Sequence, residues 1–142
     1  MADRIRVVIA DDQPLVRSAL RLILEGDPEL TVLGEAADGQ GALDAARRLR
    51  PDIILLDLHM PGRDGVWASE RISELAPDVK VLVLTAFDTD RLVASALRAG
   101  AVGFLLKDSS PEQILEAVRT AADGERPFSA AVLEQLVTTT AM

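Results

Sequence analysis

Five short apolar runs alternate along this chain with stretches whose apolar residues recur every three to four positions, and that alternation restricts the fold more than any other feature. The runs are Ile5–Ala10, Leu30–Ala36, Ile53–Asp57, 79–84 and 102–106. A continuous apolar run bounded by breakers reads as a strand buried on both faces. The stretches between them carry helix signals. Pro14 suits a first helical turn ahead of a stripe of Val16, Ala19, Leu20, Ile23 and Leu24, with Gly26 and Pro28 as stops. Asp38-Gly39 leads into Leu43, Ala46 and Leu49, and Asp64 is placed to cap a stripe of Ala68, Ile72 and Leu75, with Trp67 off it. Residues 88–99 read as a helix with a thin apolar face of Leu92, Val93, Ala96 and Leu97, closed by Gly100. Ser110-Pro111-Glu112-Gln113 supplies a cap, a first-turn proline and a capping-box partner ahead of Ile114, Leu115, Ala117, Val118 and Ala121. Each parallel crossover needs a helix to return the chain, so the alternation predicts an α/β fold with a doubly wound parallel sheet. Leu30–Ala36, interrupted by Thr31, Gly34 and Glu35, is expected at a sheet edge.

One domain accounts for most of the 142 residues, and a core of that size needs no covalent staples. The domain is expected to span 1–124. Residues 125–142 read as a linker, with a short helix over 130–137. The absence of cysteine excludes disulfides and cysteine-based zinc sites. A formal charge of −8 and a pI near 4.6 lack the basic footprint of a nucleic-acid binder, so DNA contact is expected only through another domain. The N-terminus is too short in apolar residues and too acidic for a signal peptide, and no run approaches a bilayer span. The expected location is the cytoplasm, with no membrane partner.

The chemistry gathers at the carboxyl ends of the strands, where open α/β sheets place their ligands. Asp11 and Asp12 follow the first run, Asp57 ends the third, Thr85 follows the fourth and Lys107 the fifth. If the first and third strands are neighbours, three carboxylates converge. Two like charges ~4 Å apart repel by roughly 4 kcal/mol at an effective dielectric near 20, so such a cluster needs a cation. Oxygen ligands alone suit a hard ion, Mg²⁺ above all, and Lys107 can approach one carboxylate as a point charge. These parts point to phosphoryl transfer onto Asp57, with Lys107 and the Thr85 hydroxyl holding the equatorial oxygens.

The set Asp11-Asp12, Asp57, Thr85 and Lys107, together with the stretch from Asp57 through His59, Met60, Pro61 and Gly62 to Gly65, resembles the receiver domain of two-component response regulators. The segments around Arg6 to Arg17 and Leu106 to Ile114 resemble the NarL/FixJ-type branch, whose members usually carry a C-terminal helix-turn-helix domain. The resemblance covers about Ile5 to Gly124. It implies a flavodoxin-like (βα)5 fold with strand order 2-1-3-4-5, and an Asp57 that accepts a phosphoryl group from a sensor histidine kinase. It implies that Asp12 and Asp57 bind Mg²⁺ with the His59 backbone carbonyl, and that Asp11 acts mainly through water. Thr85 and Phe104 match the family's two switch positions, which would control dimerisation and a DNA-binding output. The protein would be no enzyme beyond its own phosphotransfer and autodephosphorylation. Asp108, not proline, follows Lys107, so no cis peptide is expected there.

Taken singly, these residues have plainer roles. Asp57 or Asp11-Asp12 alone would be capping acids, Lys107 a surface lysine, Thr85 a strand end, and His59 a solvent-facing loop residue. Leu15 and Leu22, beside the first helix's stripe, are ordinary core or a dimer patch. Two other functions compete. A haloacid-dehalogenase-type phosphatase also uses an aspartate nucleophile with Mg²⁺, but it resembles Asp-x-Asp, whereas here Asp57-Leu58-His59 lacks the second acid. A receiver-like interaction module that is never phosphorylated would not need the complete acid set.

Overall fold

The computed structural model describes residues 4–87 and 90–124. The expected helix over 130–137 lies outside them. Elements alternate strictly: β1 (Ile5–Ala10), α1 (Pro14–Glu25), β2 (Leu30–Ala36), α2 (Gly39–Leu49), β3 (Ile53–Asp57), α3 (Gly65–Leu75), β4 (Lys80–Thr85), α4 (Arg91–Arg98), β5 (Gly103–Leu106) and α5 (Pro111–Ala122). The strands form one parallel sheet in the order β2-β1-β3-β4-β5. This is the flavodoxin-like arrangement, with β2 at an edge as its broken apolar pattern required.

Strand alternation divides the core in two. Val8, Ala10, Ile54, Leu56, Val81 and Val83 face α2, α3 and α4, and Phe104 packs against the same layer. Val7, Ile9, Ile53, Leu55, Leu82, Leu84 and Leu105 face α1 and α5. Because successive side chains point to opposite faces, β3 is buried along its whole length and must be apolar at every position before Asp57.

The capping residues act as their chemistry predicts. Asp38, Asp64 and Asp90 each accept a backbone N–H of the helix that follows, and Ser110 and Gln113 make a reciprocal capping box. No peptide bond is cis among the described residues.

Four details differ from the sequence expectation. β4 begins at Lys80, not Val79, and takes in Thr85, which pairs with Leu106. β5 begins at Gly103, one residue late, because Val102 N–H bonds Val81 outside the regular ladder. α4 is shorter than expected and starts after the Asp90 cap. Two stripe residues are not covered. Ala19 is exposed because it stands one step, about 100°, round the helix from Leu20, beyond the part of α1 that the sheet covers. Leu75 is 50% exposed; it lies in the last turn of α3 and faces a cleft at the amino ends of the strands.

Candidate phosphoacceptor site

Register explains how distant residues meet. Ala10 pairs with Leu56, so Asp11, one residue on, comes level with Asp57. On the other side Asp57 pairs with Leu84, and Thr85 with Leu106, while Lys107 N–H donates to the Thr85 carbonyl at 2.8 Å. Parity then sorts the side chains. Asp11, Asp57 and Lys107 continue the alternation of Ile9, Leu55 and Leu105, on the α1/α5 side. Thr85 and Phe104 continue that of Val83, on the α4 side.

Asp11 is fully buried and Asp57 is 2% exposed. Lys107 Nζ lies 3.0 Å from Asp11 Oδ2 and 3.2 Å from Asp57 Oδ2. The ammonium meets the Asp11 oxygen as a charge, without an aligned hydrogen bond. Asp11 Oδ1 accepts the Gln13 N–H at 2.8 Å, and Asp57 Oδ1 accepts the His59 N–H at 3.3 Å. One lysine is shared between two buried acids.

Electrostatics follow from that shortage. Burial raises the Asp57 pKa, Asp11 raises it further, and Lys107 with the His59 N–H only partly offsets them. Burial alone would lower the Lys107 ammonium, but Asp11 and Asp57 outweigh it and hold the pKa above its ordinary value. Asp12 is exposed, yet carboxylate oxygens of Asp11, Asp12 and Asp57 all lie within 4.8 Å of one another. An oxygen-only donor set with an under-compensated buried charge fits a hard divalent cation.

Thr85 is fully buried, and its hydroxyl is turned away from Asp57: Oγ1 donates to the Phe87 carbonyl at 3.0 Å and accepts the Phe87 N–H at 3.3 Å. Phe104 is half-buried. The structure thus gathers Asp11, Asp12, Asp57 and Lys107, and places Thr85 and Phe104 on the neighbouring layer.

Three supports were not apparent from the sequence. His59, expected to face solvent alone, is 63% exposed on its side chain, but its Nε2 lies 2.6 Å from Asp90 Oδ2. Arg17 donates to the Asp11 carbonyl at 2.7 Å while pairing with Glu35, which fixes the loop after β1. A Cβ on Gly65 would meet the Asp57 carbonyl oxygen at 2.4 Å, so only glycine lets α3 start this close to the acid. Of these, only the glycine had a readable signal, in the turn chemistry after Met60. Trp67 packs partly against its neighbours, as expected, with the Arg63 guanidinium 4.9 Å from its ring centroid. A cleft of about 870 Å³ lined by Arg6, Arg48, Asp52 and Asp78 lies at the opposite end of the sheet. A phosphoryl group needs charges within reach more than a deep cavity.

The chain is similar to known proteins over nearly its whole length. The family model for the response regulator receiver domain matches residues 7–119. The transcriptional regulatory protein YxjL of Bacillus subtilis is 43% identical over 138 residues, 97% of this chain and 63% of that protein. The nitrate/nitrite response regulator protein NarP of Escherichia coli is 43% identical over 131 residues, 92% of this chain and 61% of that protein. The chain therefore spans about three fifths of the length of these relatives. Among solved structures, the signal receiver domain of the response regulator NarL from Mycobacterium tuberculosis superposes with a TM-score of 0.84 at 39% identity, covering 87% of this chain and all of that one.

Proposed function

The chain belongs to the response regulator receiver domain family, in its NarL-type branch, and from that premise we propose that it is a phosphorylation-controlled switch with Asp57 as phosphoacceptor. The observation that carries this reading is the Asp11–Lys107–Asp57 arrangement, in which a buried carboxylate at a strand's carboxyl end is held ready by one shared cation. A carboxylate oxygen of Asp57 attacks the phosphorus of a sensor kinase's phosphohistidine. The P–N bond breaks, the imidazole leaves with the electron pair and takes up a proton, and an acyl phosphate remains on Asp57. Lys107 moves from neutralising carboxylates to neutralising phosphoryl oxygens. Asp11, Asp12 and Asp57, with the His59 backbone carbonyl by family resemblance, would hold Mg²⁺, which supplies positive charge against the developing phosphoryl oxygens.

The switch then runs through Thr85. Its hydroxyl exchanges the Phe87 backbone for a phosphoryl oxygen, and Phe104, on the same layer, repacks. Phe104 has no hydroxyl, so its part is packing alone. Proposed partners are the sensor histidine kinase, a second copy of the chain on phosphorylation, and DNA through a C-terminal output domain. The proposed domain division is 1–124 for the receiver and 125–142 for the linker. No described helix is long and apolar enough to cross a membrane; the proposed location is the cytoplasm. No turnover beyond self-phosphorylation and its hydrolysis is proposed.

Intact-mass measurement tests this. Incubation with Mg²⁺ and a small phosphodonor such as acetyl phosphate adds one phosphoryl mass to the wild-type protein and none to Asp57→Asn. An unchanged wild-type mass, or the same gain in the variant, rejects the assignment.

A further inference from the structure

The carboxylate of Asp90 takes no part in the chemistry proposed above, yet it has two partners. Oδ1 accepts the Leu92 N–H at 2.9 Å and caps α4, while Oδ2 accepts from His59 Nε2 at 2.6 Å. Its side chain is only 15% exposed, against 63% for the ring it binds. A mostly buried carboxylate that close to a donor is fixed in place. His59 stands two residues beyond Asp57 and donates its own N–H to Asp57 Oδ1. A continuous hydrogen-bonded path therefore runs from the Asp57 carboxylate, through the backbone and ring of His59, to the first turn of α4.

Thr85 does not lie on that path, since its hydroxyl is engaged with the Phe87 backbone. α4 is also short, and its first turn is held by core packing and by the Asp90 cap. It has eight residues, and Val93, Ala94 and Ala96 are its buried ones. Leu92 and Leu97 pack partly against the same core; in so short a helix a capping contact contributes to how its first turn is placed.

We infer that His59 and Asp90 form a second link between the phosphoacceptor and α4, parallel to Thr85, with Asp90 as a positioning residue. The bridge itself stands on the geometry alone, and its coupling to phosphorylation rests on Asp57 being the phosphoacceptor. When the Asp57 carboxylate becomes an acyl phosphate, the acceptor facing the His59 N–H changes in charge and position. The ring follows its backbone, and Asp90 passes the displacement to the cap of α4.

Amide hydrogen exchange of Val93 and Ala94 tests both halves. Asp90→Ser keeps a capping hydroxyl for the Leu92 N–H but is too short to reach the ring, and His59→Ala removes the ring while keeping the backbone N–H. In chelator, each single variant should exchange about two- to fivefold faster than wild type, the range for a partly exposed pair, and the double variant should exchange no faster than either single one. Additive effects would overturn the bridge. With Mg²⁺ and beryllofluoride as phosphoryl mimic, the Thr85→Ala protein should still show altered α4 exchange, and Thr85→Ala with Asp90→Ser should lose it. Unaltered α4 exchange in Thr85→Ala carrying bound beryllofluoride, seen by ¹⁹F resonance, would overturn the coupling. Failure of beryllofluoride to bind even the wild-type protein would overturn the Asp57 reading and the coupling with it, while the comparison in chelator still decides the bridge.

Discussion

Asp57 is held in a state its surroundings disfavour, and that is measurable without any phosphodonor. Its pKa is raised by burial and by Asp11, so the folded chain binds this proton at a pH where the unfolded chain has already released it. Between the ordinary carboxylate value and the raised one, stability must fall as pH rises. Asp57→Asn, which keeps the shape and removes the charge, should therefore melt higher than wild type in metal-free buffer at neutral pH, by about 2–5 °C. The difference should shrink as pH falls through the raised value and the wild-type acid becomes neutral. Calorimetry in chelator at several pH values checks it, and a constant difference across the series would mean that the charge of Asp57 is not the cause. Lys107 stabilises the fold at neutral pH, where Asp57 destabilises it, although the pH dependence of both runs the same way. Its raised pKa keeps its contribution in place through neutral pH, to be lost only as pH rises past the ordinary lysine range. Lys107→Met leaves two buried carboxylates without their cation and should cost about 1–3 kcal/mol at neutral pH by urea denaturation. Part of that cost should vanish in an Asp57→Asn background, because the two side chains are in contact, and the rest should remain because Asp11, 3.0 Å from the ammonium, still loses its cation.

The connection from β3 to α3 shows how closely an element must be placed to serve such a residue. A Cβ on Gly65 would lie 2.7 Å from Leu58 Cα as well as against the Asp57 carbonyl. Gly65→Ala should then cost about 1–3 kcal/mol, read from a denaturation midpoint, and should slow phosphodonor labelling of Asp57 in the protein that remains folded. Substitution at Gly62, where φ is +72° but nothing crowds the position, would strain the turn without pressing on the acid. Much of this arrangement was legible in the sequence. The inner strands announced themselves as apolar runs because both faces of the sheet are covered, β2 by its broken pattern as an edge, and their parallel direction put Asp11, Asp57 and Lys107 at one end. What escaped was set by distance between elements, not by periodicity. Ala19 and Leu75 fit a helical stripe, but how wide a stripe is covered depends on what lies opposite. Likewise His59 and Asp90 are 31 positions apart, in two loops with no pattern that pairs them. The Arg17 contact to the Asp11 carbonyl is legible only once the loop after β1 has a shape.

For the molecule as a whole, a net charge of −8 makes any divalent cation stabilising to some degree by screening, so a simple rise in melting temperature with Mg²⁺ would not identify a site. Three acids at one end of the sheet provide a sharper expectation. A cation bound only by the folded chain stabilises it by RT ln(1 + [L]/Kd), about 2.7 kcal/mol at a hundredfold excess over Kd. Asp12 is exposed, so Asp12→Asn should alter the metal-free stability by no more than about 0.5 kcal/mol, yet remove most of the Mg²⁺-dependent gain. Asp78, also exposed, lines the cleft at the other end of the strands; Asp78→Asn makes the same change in net charge and should keep the gain in full. Thermal melts of the three proteins across a Mg²⁺ titration separate the two causes. If Asp12→Asn and Asp78→Asn respond alike, the cation is acting on the overall charge, and the carboxylate cluster beside Asp57 is not its binding site.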